Sequence, residues 1–137
     1  MKRKVSFILA VVFLLVGLCS HIVLAGNISL FNNNTSSTYT AFSISNNGSA
    51  IVSVEYMGYP NITTNATISI KIEKRNLLVF WKDIVSDTIV VNAQYFTDDF
   101  TYQLEDTGTY RCTVVYTISG TGGADDVITF EDTKTYG

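Results

Sequence analysis

Apolar and polar residues alternate along most of the chain with a period of two. In "ATISIKIEK" (66–74), Ile68, Ile70 and Ile72 fall on one side, and Thr67, Ser69, Lys71 and Glu73 on the other. The longest run comes later, where Tyr110, Cys112, Val114, Tyr116 and Ile118 alternate with Thr109, Arg111, Thr113, Val115 and Thr117. Successive side chains of a strand point to opposite faces, so each run predicts a strand with one face toward a core. "TAFSISNNGSAIVSVEY" (40–56) sets two alternating segments around Asn46-Asn47-Gly48. Asn and Gly tolerate positive φ, which marks a hairpin.

"NLLVFWKDI" (76–84) is a denser apolar run that holds the lone Trp81, and it reads as a further strand. More strands are expected in "DTIVVNAQYF" (87–96), "FTYQLE" (100–105) and "VITFEDTKTY" (127–136), with turns at "MGYPN" (57–61) and "SGTGGADD" (119–126). No stretch keeps a 3.6-residue apolar period over three turns. Seven or eight short strands separated by turn signals predict an all-β fold, an antiparallel β-sandwich, over residues 39–137.

The first 25 residues have a different character. Lys2, Arg3 and Lys4 precede an apolar run from Val5, and Val23-Leu24-Ala25 places small or branched residues before a cleavage point. This predicts a signal-peptide helix, cut between Ala25 and Gly26. The 21 residues from Val5 to Ala25 are also long enough for an uncleaved anchor. Ser6, Gly17, Ser20 and His21 interrupt the run, and the small-residue exit favours cleavage. Cys19 follows Leu18 rather than a small residue, so it reads as unacylated. Residues 26–38 read as a flexible polar lead-in, with room for a first edge strand.

Cleavage changes the chemistry available. The only histidine, His21, leaves with the leader, and Cys112 becomes the sole cysteine. Ser-His-Asp and Cys-His nucleophile systems and Cys/His zinc sites are then excluded within this chain. Six basic residues face 12 acidic ones, a net charge of about −6. That balance argues against nucleic acid or an anionic membrane as partner.

The acidic pairs Asp98-Asp99, Glu105-Asp106 and Asp125-Asp126 lie near predicted turns and match no calcium-loop spacing, so they read as solvated turn carboxylates. "SGTGGA" lacks the Gly-Lys ending of a phosphate loop. Sequons starting at Asn27, Asn33, Asn34, Asn47, Asn61 and Asn65 read as a product of Asn/Thr-rich composition. Tyr56, Tyr59 and Tyr136, near expected strand ends, are the candidate ligand patch, and Tyr95 is a further aromatic of this kind, with ordinary core and edge packing the favoured reading of all four.

Asp106-x-Gly108-x-Tyr110-x-Cys112 resembles the corner that enters strand F of immunoglobulin-fold domains. There a tyrosine two residues before the cysteine bonds back to upstream backbone. An antibody-like domain would pair this cysteine with one on strand B. The candidate B strand, "AIVSVEY", offers Val52 and Val54 instead. Cys112 is therefore expected to be a buried free thiol, with an intermolecular disulfide as the alternative. The same resemblance implies that Trp81 is the core tryptophan of strand C.

A wider likeness covers most of the chain. "FSISNNGSAIVSVEY", "ISIKIEKRNLLVFWKDI" and "GTYRCTVVYTISG…TKTY" resemble small secreted β-sandwich proteins of gut Gram-positive bacteria, a group with no established activity. The expectation is a secreted, extracellular, monomeric, non-catalytic domain without cofactor. Its partner would be a protein or glycan, with no nucleic acid and no membrane after leader removal. The rival expectation is a secreted effector or antimicrobial protein acting on competitor cells.

Overall fold

The computed structural model describes residues 32–77 and 79–137. The expected signal peptide, the expected Ala25–Gly26 cleavage point and the start of the expected lead-in lie outside the described residues. Among those described, the chain forms seven strands: β1 (Thr35–Ile44), β2 (Ser49–Gly58), β3 (Thr63–Asn76), β4 (Phe80–Val91), β5 (Tyr95–Gln103), β6 (Gly108–Gly120) and β7 (Asp126–Tyr136). They make two antiparallel sheets, ordered β1-β2-β5 and β4-β3-β6-β7. This is the all-β, two-sheet architecture that the alternation predicts.

The two strongest alternations sit side by side at the centre of the larger sheet. Ile72 pairs with Cys112, Ile70 with Val114 and Ile68 with Tyr116, and all six are buried. Ala50, Val52, Val54 and Tyr56 of β2 bury the matching face of the smaller sheet. Each fully buried Ile or Val contributes roughly 1.5–3 kcal/mol over its exposed state. The two inner faces together form the core.

Turn chemistry sets the connections. Gly48, at φ 79°, closes the β1–β2 hairpin. A Cβ there would stand 2.8 Å from the Leu104 carbonyl oxygen and 3.0 Å from the Tyr136 ring. Leu104 N in turn donates to Gly48 O at 2.9 Å, which ties this hairpin to the β5–β6 loop.

In the constant-type immunoglobulin order the fourth strand edges the fifth, whereas here β4 lies beside β3. Three expectations are corrected. The runs 76–84 and 87–96 are not two strands: β4 is continuous from Phe80 to Val91, and the turn falls before Tyr95. The sandwich begins before residue 39, because β1 starts at Thr35 and both Asn34 and Thr35 are buried. Among the acidic pairs, Asp126 is buried and Asp98-Asp99 lie within β5 rather than in a turn.

Candidate functional site

The register of β4 decides what the molecule presents. Val91, Ile89, Asp87 and Val85 pair with Ala66, Ile68, Ile70 and Ile72, so their side chains share the inner face. Then the register slips: Val85 pairs with Ile72, but Asp83 pairs with Glu73, leaving Ile84 as an extra residue. A one-residue slip moves every later side chain to the other face. Trp81, which unbroken alternation from Val85 would aim at the core, pairs with Arg75 and faces outward. The expected core tryptophan is thus a half-buried residue on the outer face of an edge strand.

That face is held by charge. The Arg111 guanidinium lies 4.4 Å from the centroid of the Trp81 ring, within the range of cation–π attraction. Arg111 Nε and Nη2 both donate to Glu73 Oε2, at 2.9 and 2.7 Å. Lys71 Nζ bridges Glu73 Oε1 and Asp83 Oδ1 at 3.0 Å each. Glu73 is buried, and its two cations offset the cost of desolvating it. Hydrogen bonds to Asp83 and Glu73 raise the Lys71 pKa.

Beyond Trp81 the hairpin turns without glycine or proline. Leu77 takes φ 46°, a left-handed conformation unfavourable for a bulky residue. Leu77, Val79 and Phe80 are 78%, 72% and 67% exposed. Three large apolar side chains at one projecting tip make the most exposed apolar cluster among the described residues. At the base of the tip lies a cleft of about 210 Å³ lined by Lys74, Arg75, Asn76, Lys82, Ile84 and Asp106. Lys74 Nζ crosses it to Asp106 Oδ2 at 3.0 Å and stands 6.0 Å from the Tyr110 ring centroid.

The corner residues support this end. The Tyr110 ring is buried, and its hydroxyl donates to the Asp106 carbonyl at 2.6 Å. Gly108 takes φ 149°, and a Cβ there would stand 3.0 Å from the Lys74 side chain. Cys112 is buried and free. Burial, with the Asp132 carboxylate adding to it, pushes its thiol up to about 12.

The aromatic patch expected from Tyr56, Tyr59 and Tyr136 does not assemble. Tyr56 is a core residue: its ring stacks on Phe96 at 6.4 Å, its hydroxyl donates to Ala93 O at 2.7 Å, and burial raises its pKa. It was misplaced because β2 runs on to Gly58. Tyr59 is exposed, just after β2, near the amino-terminal end of the sandwich. Tyr136 lies against Gly48 at the opposite end. Tyr95 is exposed across from Met57.

Fold and surface together define an immunoglobulin-like β-sandwich with an apolar hairpin tip. No protein-family model and no characterised protein sequence matches the chain. Among solved structures, the β-glucosidase from Listeria innocua in complex with isofagomine is similar at a TM-score of 0.41 and 12% identity, over 69% of this chain and 16% of that one. The GH3 β-glucosidase of Bifidobacterium adolescentis is similar at 0.38 and 14%, over 72% of this chain and 18% of that one. The chain thus spans less than a fifth of either enzyme's length, and at these scores the likeness carries no argument about fold or activity.

Proposed function

We propose that this chain is a secreted, non-catalytic binding domain that acts at the cell exterior through the β3–β4 hairpin. One observation carries the reading: Leu77, Val79 and Phe80 stand in solvent at the end of a strand pair whose other residues are held by pairing and charge. Exposing that much apolar surface has a cost in solubility, and a contact surface is its usual reason. The leader pattern of residues 1–25 supports export.

The test has two parts. Mass spectrometry of protein from the culture medium is expected to find Gly26 at the amino terminus; an intact chain starting at Met1 and retained in the cell would overturn secretion. Fluorescently labelled secreted protein is expected to bind intact bacterial cells saturably, and a Leu77→Ser/Phe80→Ser variant is expected to lose that binding. A variant that binds as the parent does would remove the hairpin from the function.

A second reading, an effector or antimicrobial protein acting on competitor cells, draws on the same hairpin. An apolar tip beside cations is the local feature that a membrane-active chain requires. Growth inhibition of neighbouring strains by purified protein separates it from simple binding.

A further inference from the structure

We infer that the surface contacted by the hairpin is an anionic phospholipid membrane; this rests on the reading of the hairpin as the contact surface. Charge is the first argument. Residues 74–82, "KRNLLVFWK", hold three cations and no carboxylate. The other cations beyond the leader are Lys71, Arg111 and Lys134; these three and Lys74 are engaged in ion pairs. The 12 carboxylates all lie outside that segment. At this end Lys71, Lys74, Arg75, Lys82 and Arg111 meet Glu73, Asp83, Glu105 and Asp106, five cations against four carboxylates, so the net acidity falls on the remainder, where Lys134 stands against eight carboxylates. Such a separation orients the molecule, because an anionic surface attracts the hairpin end and repels the remainder.

Shape is the second argument. The tip closes a hairpin, with Leu77, Val79 and Phe80 exposed and Trp81 next to them on the outer face. Exposed apolar side chains at a hairpin end need a soft or concave partner, and the boundary between lipid headgroups and acyl chains is soft everywhere. Phe80 and Trp81 are adjacent, so the tip would place Phe among acyl chains and Trp at headgroup depth, where its ring is favoured. The cleft at the base supplies the polar half of the contact. Lys74, Arg75 and Lys82 line it together with Asp106, which pairs with Lys74, and a phosphate group is the anion such a lining would hold.

The competing mode at this edge is addition of a partner's strand to β4. Two features oppose it. The bulge at Ile84 breaks the ladder, and Asp87 is turned to the inner face of this edge strand, where it accepts a hydrogen bond from the Tyr102 hydroxyl at 3.1 Å. Bulges and inward charges are the devices by which edge strands refuse pairing.

The experiment uses the secreted protein with vesicles of phosphatidylglycerol and phosphatidylcholine, vesicles of phosphatidylcholine alone, and inorganic phosphate. Trp81 is the only tryptophan, so its emission reports on this end directly. Co-sedimentation with the phosphatidylglycerol vesicles and a blue shift are expected. Neither is expected with phosphatidylcholine alone, and phosphate is expected to leave the emission unchanged. Leu77→Ser/Phe80→Ser is expected to weaken vesicle binding about tenfold or more. Lys82→Glu is expected to reduce the fraction of binding that salt screens. Both variants change the outer surface, and unchanged circular dichroism verifies the fold.

Absence of binding to phosphatidylglycerol vesicles, or equal binding by the tip variant, overturns the inference. If vesicles fail while cell binding remains saturable and hairpin-dependent, the lipid assignment falls, the hairpin reading stands, and a protein or glycan is the occupant. If cell binding also fails, both fall. Response to phosphate alone would assign the cleft to a free anion and overturn the lipid assignment.

Discussion

The Tyr110 hydroxyl donates a 2.6 Å hydrogen bond to the Asp106 carbonyl, four residues upstream, while its ring fills the core between the sheets. The bond closes the β5–β6 loop over the end of the sandwich that carries the hairpin. Tyr110→Phe keeps the ring and leaves that carbonyl short of a donor, and is expected to cost about 1–2 kcal/mol. Tyr110→Ala also opens a cavity and is expected to cost about 3–5 kcal/mol. Urea unfolding at neutral pH measures both. Identical midpoints for the parent and the Phe variant would deny the bond a structural role.

Cys112 is expected to resist thiol reagents in the native state, since burial raises its pKa to about 12. The sign of its contribution follows. The unfolded thiol ionises near pH 8.5, so stability is complete below that value. It is lost as pH rises toward 12, because the unfolded chain releases a proton that the folded chain retains. Burial raises Tyr56, Tyr110 and Tyr116 in the same direction, which deepens the loss above about pH 10. The thiol alone accounts for roughly 1–2 kcal/mol per pH unit. Cys112→Ala is expected to cost about 1–2 kcal/mol at pH 7 and to flatten the decline between about pH 9 and 10. Denaturation midpoints across pH check this; an unchanged slope would refute the assignment.

The start of β1 hangs on one carboxylate. Asp126 accepts the amide hydrogens of Asn33 and Asn34 through separate oxygens, at 2.8 Å each. The Asn34 side chain continues the clamp, donating to Ala124 O at 3.0 Å and accepting from Gly122 N at 3.1 Å. Asp126→Ala leaves two amides without an acceptor and is expected to cost roughly 2–4 kcal/mol. Asp126→Asn retains one acceptor and is expected to cost about half as much. Amide hydrogen exchange at Asn33 and Asn34 is the direct readout, with faster exchange expected in both variants and fastest in the first.

Legibility in the sequence followed the continuity of the alternation. Ile68, Ile70 and Ile72, and Tyr110 through Ile118, keep one parity from end to end, so the face they bury can be read without coordinates. Asn46-Asn47-Gly48 is legible because positive φ at Gly48 selects the residue. The hairpin at 76–80 was hidden for the opposite reason. Its turn residues are apolar, so a density of Leu, Val and Phe that ordinarily marks a buried strand here marks a tip. Trp81, which the immunoglobulin resemblance implies is core, faces outward because the bulge at Ile84 inverts parity and leaves no trace in composition. Tyr56 was misassigned because a strand that runs two residues further turns a supposed end into core. The opposed positions of Tyr59 and Tyr136 depend on topology, which pairwise spacing does not encode.

The two ends of β3 set a reach. At Thr63 the strand begins beside the clamped segment, with the Thr63 hydroxyl donating to the Asn34 carbonyl. At Asn76 it arrives at the apolar tip. Its 14 residues, at a rise of roughly 3.3 Å, separate those points by about 43 Å. Pairing on both edges, with β4 and β6, stiffens that length, so the clamped segment and the apolar tip are held a fixed standoff apart.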